Sequence, residues 1–263
     1  MSDKKTRDER HGKSAEMYMD RALELEEQGF FQEAVAELKK AVRVATDKAA
    51  IYKELADLYA EQRYIDEAAS AIRKAIKLDP SDVQAREKLL ELLLEQGKYD
   101  KAIKESHELL RISQRSLSAR EVLSIAYVQK GMLDKALHIT NDMISMDPTS
   151  AANHFRKAWL YQQNGDYGNA IHEFTRVLDM QPDAEMAGDA QQAIDSLDSY
   201  QLRHIIMLAL EDYIFRAKLV RDPEAAALER GYSLSYSGMA ALKQVRFEDL
   251  PEVYSEWKQR YYH

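Results

Sequence analysis

The side chains here that could do chemistry are carboxylates and imidazoles, since the 263 residues include no cysteine. His138 and His172 occupy equivalent positions 34 residues apart, but no further ligand accompanies them for a four-coordinate metal site. Carboxylates four residues apart, such as Glu33 and Glu37, are typical of a solvated helix face. The sequence has no glycine-rich phosphate loop, nucleophile elbow or HExxH motif. We therefore expect no catalytic residue, no metal site and no cofactor.

Composition points to a soluble, all-helical protein. The chain is 45% hydrophobic and 31% charged, with only 9 glycines and 5 prolines, which favours long helices over many short strands. A net charge of −8 argues against nucleic acid as a partner, because phosphate binding needs a basic face. The most apolar stretch, 205–210, is far shorter than the ~20 residues of a membrane span. The charged N-terminus lacks the apolar core of a signal peptide, so we expect a cytoplasmic protein with no membrane span.

An internal repeat determines the expected positions of these side chains. One alanine recurs every 34 residues without a gap: Ala34, Ala68, Ala102, Ala136 and Ala170. The same period places a glycine or arginine in the middle of each unit and often a proline near its end, where helices stop. Five helix-turn-helix units are predicted, at 15–48, 49–82, 83–116, 117–150 and 151–184.

Over residues 15–184 this pattern resembles the tetratricopeptide repeat family. A small residue stands at the eighth position of three units (Ala22, Ala56, Ala158), a large apolar residue at the eleventh and alanine at the twentieth. The resemblance implies an all-α fold, a right-handed α-solenoid of five repeats, and a non-catalytic protein-interaction scaffold. The sequence departs from the family at the fourth position, where Arg86, Arg120 and His154 replace the usual aromatic residue.

The resemblance also implies a partner-binding groove lined by the first helix of each repeat. In units one to three these positions are mostly acidic, whereas in units four and five they are apolar or amide-bearing. The partner is then a peptide or helix with basic and apolar residues, unless the acidic residues are simply solvated and Phe155 or Trp159 packs internally. The expected groove residues are Lys53, Asp57, Glu61, Glu87, Glu91, Glu95, Glu121, Ile125, Val128, Phe155, Trp159 and Gln162.

The remaining segments are a charged, flexible N-terminus at 1–14, a capping helix at 185–198 and a helical extension at 199–263. The extension is expected to begin with an apolar helix at 200–220 and to end with a helix that carries Trp257 and three tyrosines. Between them, Asp222 and Ser235 are typical helix N-caps and Gly231 a helix stop. The stretch 210–235 also resembles small helical modules of natural-product leader peptides and of a dioxygenase small subunit.

Three functions remain open from the sequence. The first is an adaptor that binds a partner protein in the groove. The second is a self-assembling structural protein, a homo-oligomer held by the 200–220 helix and the aromatic tail. The third, more remote, is an enzyme activity in the C-terminal region.

Overall fold

The computed structural model describes the backbone of residues 2–251 and the side chains of residues 14–251, so the expected C-terminal helix with Trp257 lies outside the described residues. Within that range the chain forms fourteen α-helices, one 3₁₀ turn at Phe247–Asp249 and no strand. The helices are α1 Ser2–Glu27, α2 Phe31–Val44, α3 Lys48–Glu61, α4 Ile65–Leu78, α5 Val83–Glu95, α6 Tyr99–Ile112, α7 Leu117–Gln129, α8 Leu133–Met146, α9 Ala151–Gln163, α10 Tyr167–Asp179, α11 Ala184–Glu211, α12 Tyr213–Arg221, α13 Pro223–Glu229 and α14 Tyr236–Gln244.

These helices divide into two compact units, residues 1–132 and 133–263. In the first unit, helices that follow one another along the chain pack side by side. The repeated alanines Ala34, Ala68 and Ala102 are fully buried there. A methyl group at this position lets the paired helices approach closely, which is why the position stays small. The all-α helix-turn-helix architecture predicted from the sequence is therefore confirmed.

The turn within each repeat has the same backbone conformation in all five repeats. Gly29, Gly97, Gly131 and Gly165 have φ between 64° and 80°, in the left-handed region that ends a helix. The residue that follows each of these turn positions donates an amide hydrogen bond to the carbonyl five residues before it, as Phe30 does to Leu25 at 2.7 Å. Arg63 adopts the same conformation at φ 62° without being glycine. This conformation costs an ordinary residue roughly 1 kcal/mol, and the arginine contributes an ion pair that a glycine could not make.

The turns between repeats end in helix N-caps. The carboxylate of Asp47 accepts from the Ala49 amide at 3.0 Å, and that of Asp82 accepts from the Ala85 amide at 2.9 Å. Ser116 and Ser150 cap α7 and α9 in the same way. Each cap satisfies an amide that the first turn of the helix leaves without a partner, and it fixes where the following first helix begins.

The second unit has two cores. Phe174, Val177, Ile194 and Leu197 belong to one core, formed by α9, α10 and the first half of α11. Ile205, Phe215, Leu242 and Phe247 belong to the other, formed by the second half of α11 with the helices that follow. Helix α11 contributes to both cores of this unit.

Two helix boundaries differ from those expected. The expected capping helix 185–198 and apolar helix 200–220 are largely one helix, α11, which ends at Glu211, because no glycine or proline interrupts 198–200 and the Asp198 carboxylate accepts from Ser235 instead of capping a new helix. The chain breaks instead at Asp212, whose carboxylate caps α12 by accepting from the Phe215 amide at 2.9 Å. The backbone of 2–14 belongs to α1, since its lysines, its arginines and Glu9 are good helix formers, so no helix boundary sets off the segment 1–14.

The expected caps and stop further along the extension are found. Asp222 caps α13 by accepting from the Ala225 amide at 3.0 Å, and Ser235 caps α14 by accepting from the Gly238 amide at 3.1 Å. Gly231 takes a φ of 80° after α13. These signals are local in sequence, so they could be recognised without knowledge of the tertiary contacts.

A buried polar clamp joins α11 to the start of α14. Asp198 is 5% exposed, and its carboxylate accepts from the Ser235 amide at 2.9 Å and from the Ser235 hydroxyl. One turn further along α11, Gln201 both accepts from the Ser233 amide and donates to the Ser233 carbonyl, each at 2.9 Å. A Cβ at Gly238 would overlap the Asp198 carboxylate, so this position needs glycine.

We expect Gly238→Ala to destabilise the second unit by about 2 kcal/mol, the usual cost of forcing an extra methyl group into a packed site. The methyl group would displace the Asp198 carboxylate from its hydrogen bonds. Thermal unfolding followed by circular dichroism measures the change.

The matched control is Gly188→Ala, because Gly188 also lies in a helix but an added Cβ meets open space there. This change should be neutral or stabilise by up to about 1 kcal/mol, the helix-propensity difference. Equal melting temperatures for the two variants would show that the close approach at Gly238 is not needed.

Candidate functional site

The expected groove residues of the first unit lie on the first helices α3, α5 and α7. Asp57, Glu61, Glu91, Glu95, Glu121 and Ile125 are exposed, and Lys53, Glu87 and Val128 are half-buried. The capping residues set the register of each of these helices, because each one determines where its helix starts. The equivalent positions of successive repeats therefore recur on the same face of each first helix.

Several of these side chains already have partners within the unit. Lys53 Nζ lies 2.8 Å from Asp82 Oδ2, so it supports the cap of α5. Asp57 pairs with Lys88 at 3.1 Å, and Glu95 pairs with Arg63 at 2.7 Å. The hydroxyl of Ser118 donates to Glu87 at 2.6 Å. Glu61 and Glu91 form no ion pair with another residue that the structure describes, so the groove is less uniformly acidic than the sequence indicated.

Several of the carboxylates that form no ion pair with a described residue line one cleft between α1 and α3, which we call the acidic cleft. Its apolar lining comprises Met19, Ala22, Leu23, Leu38 and Leu58, and its carboxylates are Glu26, Glu54, Asp57 and Glu61. The volume is about 270 Å³. Of the four carboxylates, only Asp57 forms an ion pair with another described residue.

Burial of Glu26 raises the pKa of its carboxyl, and the neighbouring carboxylates of Glu61 and Glu54 raise it further. A carboxylate in this position is repelled by like charges and partly deprived of water. The acidic cleft therefore favours a cation or a hydrogen-bond donor beside Glu26.

Of this cleft only Asp57 and Glu61 belong to the expected groove set, and Met19, Leu23 and Glu54 are among the residues outside it. Met19 and Leu23 stand at the fifth and ninth positions of the first repeat, where the other repeats supplied expected groove residues. The equivalence of these repeat positions could have predicted Met19 and Leu23 as groove residues. The convergence of Glu26 and Glu54 depends on how α1 packs beside α3, which no local pattern in the sequence reveals.

In the second unit, the expected apolar pair Phe155 and Trp159 is divided between core and surface. The Phe155 ring is half-buried, with its centroid 5.2 Å from that of the buried Phe174. Trp159 is 38% exposed, and Gln162 on the same helix is half-buried. An apolar anchor on this face therefore consists mainly of Trp159.

Behind that face lies an ion network that was not expected from the sequence. His154 Nδ1 lies 2.7 Å from one Glu173 oxygen, Lys157 Nζ lies 2.9 Å from the other, and His154 and Glu173 are both buried. Burial opposes ionisation of Glu173, but Lys157 and His154 together hold its pKa below the usual range. The network joins α9 to α10 in place of the aromatic contact usual at the fourth position, so its role is in packing.

In the described part of the chain, no cluster of three or more histidine, aspartate or glutamate side chains has a geometry that could hold a metal ion. No described helix combines the length and hydropathy needed to cross a bilayer.

We expect Glu26→Gln to raise the melting temperature at pH 7, because the substitution removes the charge that Glu61 and Glu54 repel. Since the folded-state pKa of Glu26 is raised, this repulsion is absent at low pH and grows as the pH rises through that pKa. Exposed charge pairs are worth up to about 1 kcal/mol, so a gain of about 2 °C is expected.

Thermal melts at pH 7 and pH 4 test this, with Asp20→Asn as the control, since Asp20 is an exposed carboxylate of α1 outside the cleft. The gain should be specific to Glu26→Gln and should shrink at pH 4. A gain of equal size at both values would contradict the repulsion.

Comparisons with known proteins agree with the repeat pattern. Tetratricopeptide repeat family models match residues 19–82, 53–116 and 151–184. No curated protein matches the chain. A MamA fragment from Desulfovibrio magneticus RS-1 is similar in structure, with a TM-score of 0.56, 20% identity and coverage of 65% of this chain and 96% of that one. YrrB, described as a TPR protein with an unusual peptide-binding site, has a TM-score of 0.55, 20% identity and coverage of 66% and 90%.

At these identities the solved structures support the fold alone. The family models together cover just over half of the chain, and the alanine column, the left-handed turns and the helix pairs are found in the same residues. The chain belongs to the tetratricopeptide repeat family.

Proposed function

We propose that this protein is a non-catalytic interaction scaffold, an adaptor whose acidic cleft binds a partner segment that carries lysine or arginine beside an apolar residue. The observation that carries the proposal is the arrangement of Glu26, Glu54 and Glu61 around the apolar floor formed by Leu23 and Leu58. A cationic side chain would neutralise the carboxylates while the neighbouring apolar side chain covers the floor. Charge-assisted hydrogen bonds of this kind are about twice as strong as neutral ones.

An open cleft of this type suits a peptide or helix rather than a reaction. Catalysis needs titratable groups that converge on a site from which water can be excluded. Among the described residues, the titratable groups with shifted pKa values are carboxylates that form no ion pair, such as Glu26, partners in ion pairs, such as Glu173, and Tyr167, which lies beside Tyr200. These groups support binding and packing, and the adaptor function is favoured over an enzyme.

Trp159 supplies a second contact in the same proposal. Tryptophan is a preferred hot-spot residue because its large rigid ring loses little conformational entropy on binding. Its exposure on the face of α9 that the family uses for binding supports a role as an apolar anchor for a partner.

A self-assembling protein is the second candidate, favoured by apolar side chains exposed on α12. Tyr213 is 80% exposed and Ile214 is 51% exposed, and both lie in the stretch 200–220 that was expected to oligomerise. The aromatic tail lies outside the described residues. Light scattering distinguishes the two candidates, since an adaptor is expected to be monomeric without its partner.

We expect Glu54→Gln/Glu61→Gln to weaken binding of the probe peptide acetyl-Lys-Lys-Leu-Lys-Lys-amide about tenfold. Two carboxylates would no longer attract the lysines, and peptide-induced NMR shifts at Leu23 and Leu58 should diminish. Wild-type affinity should also fall between 0.1 M and 1 M salt, as the screening length shrinks from about 10 Å to about 3 Å.

The control is Asp20→Asn/Glu33→Gln, which makes the same change in net charge at exposed residues outside the cleft. Affinity that falls equally in both double variants would indicate a general field effect and no binding in the cleft.

We expect Trp159→Ala to change stability by less than about 1 kcal/mol, because the ring is partly exposed, and to weaken partner binding by about 2 kcal/mol or more. Phe174→Ala, which removes a buried ring, should cost about 4 kcal/mol of stability. Thermal melts measure the stabilities, and recovery of co-purifying proteins on immobilised variants measures the binding. A Trp159→Ala protein that melts as early as the Phe174→Ala protein would assign Trp159 to the core.

A further inference from the structure

A second cleft lies in the first unit, between the second helices α2 and α4. Helix α3 forms its floor, since both α2 and α4 pack on α3. The volume is about 450 Å³, and the lining includes Lys39 and Arg43 from α2, Tyr52, Leu55 and Tyr59 from α3, and Lys74 from α4. We call this surface the cationic cleft.

The periodicity of the α-helix explains why these side chains line the same cleft. Lys39 and Arg43 are four residues apart on α2, and Tyr52 and Tyr59 are seven residues apart on α3, so each pair shares one face of its helix. The residues that α3 gives to the acidic cleft, such as Asp57 and Glu61, lie on its other side. The two clefts are therefore separate surfaces.

The two lysines of this cleft lie beside tyrosine rings, and the three cations of its lining are not neutralised by ion pairs with described residues. Lys39 Nζ lies 5.9 Å from the centre of the Tyr59 ring, and Lys74 Nζ lies 5.4 Å from that of Tyr52. Neither lysine nor Arg43 forms an ion pair with another residue that the structure describes. Glu67 is the acidic residue of the lining, so three cations face one carboxylate in a chain whose net charge is −8.

One repeat further along the chain, Arg86 on α5 shows how a cation on a first helix can be neutralised. Arg86 stands at the position equivalent to Tyr52. Its guanidinium pairs with Glu105 on α6 and donates to the Pro80 carbonyl at 2.9 Å. In the cationic cleft, tyrosine at this position leaves the floor apolar and the neighbouring cations available to a ligand.

We propose that the cationic cleft is a second docking surface, which binds an acidic segment of a partner protein. Glutamate or aspartate carboxylates of that segment pair with Lys39, Arg43 and Lys74, and an aromatic or aliphatic side chain covers Leu55 between the two tyrosines. The occupant follows from charge complementarity, because an excess of cations around an apolar floor matches carboxylates that flank an apolar residue. The protein then presents surfaces of opposite charge on the two sides of α3 and can hold two different segments at once.

The test uses the full chain and the probe peptide acetyl-Glu-Glu-Phe-Glu-Glu-amide, titrated while NMR spectra are recorded. The expected result is saturable shifts at Tyr52, Leu55 and Tyr59, with affinity at least tenfold lower in Lys39→Gln/Arg43→Gln/Lys74→Gln. The control variant, Lys101→Gln/Arg115→Gln/Lys104→Gln, removes two lysines and one arginine that are exposed elsewhere in the same unit. It should bind the peptide within about twofold of wild type.

Three results would overturn the proposal. The first is equal weakening in both triple variants, and the second is peptide-induced shifts that avoid the cleft. The third is a more than tenfold preference for the peptide with phosphoserine in place of glutamate, which would assign the cleft to phosphate. If the triple variant melts early, single Arg43→Gln is measured instead, with an expected loss of about threefold against none for Arg115→Gln.

Discussion

The close approach of paired helices at the repeated alanine is the constraint on which the rest of this structure depends. Ala34, Ala68 and Ala102 in the first unit, and Ala136 and Ala170 in the second, have no exposed surface. A larger side chain there would push the helices of a pair apart, and the apolar residues on both would lose contacts. Because the approach recurs every 34 residues, the pairs α1–α2, α3–α4 and α5–α6 of the first unit and α9–α10 of the second present equivalent faces.

At a few positions polar or charged side chains replace an apolar contact, and each of these side chains has a polar partner. His154 with Glu173 and Lys157, and Arg86 with Glu105, stand where the family usually has an aromatic contact. Buried charges are tolerated because each has a partner of opposite sign. Asp198 is stabilised differently, by the amide and hydroxyl of Ser235 at the N-terminus of α14. Removal of one member of such a set leaves the others buried without a partner.

The two clefts show how one repeat architecture produces surfaces of opposite charge. On one side of α3 its own carboxylates meet Glu26 of α1, and on the other side its tyrosines meet cations from α2 and α4. Elsewhere in the first unit several charges are paired between neighbouring repeats, as Arg63 is with Glu95. The two proposed binding surfaces are places where most of the lining charges are not paired in this way.

The sequence by itself determined the helix pairs, their turns, most of their caps and the family, because these follow from local backbone preferences repeated at a fixed period. It also predicted Asp57 and Glu61 as groove residues, and both line the acidic cleft. Only the tertiary structure decided which charges are satisfied, since Lys53 and Asp82 are 29 residues apart and meet through packing alone. The same holds for Phe155, which turns toward Phe174, and for Glu26, whose neighbours come from another helix. Side chains that meet across helices carry no local signal, because their contact depends on how the helices pack.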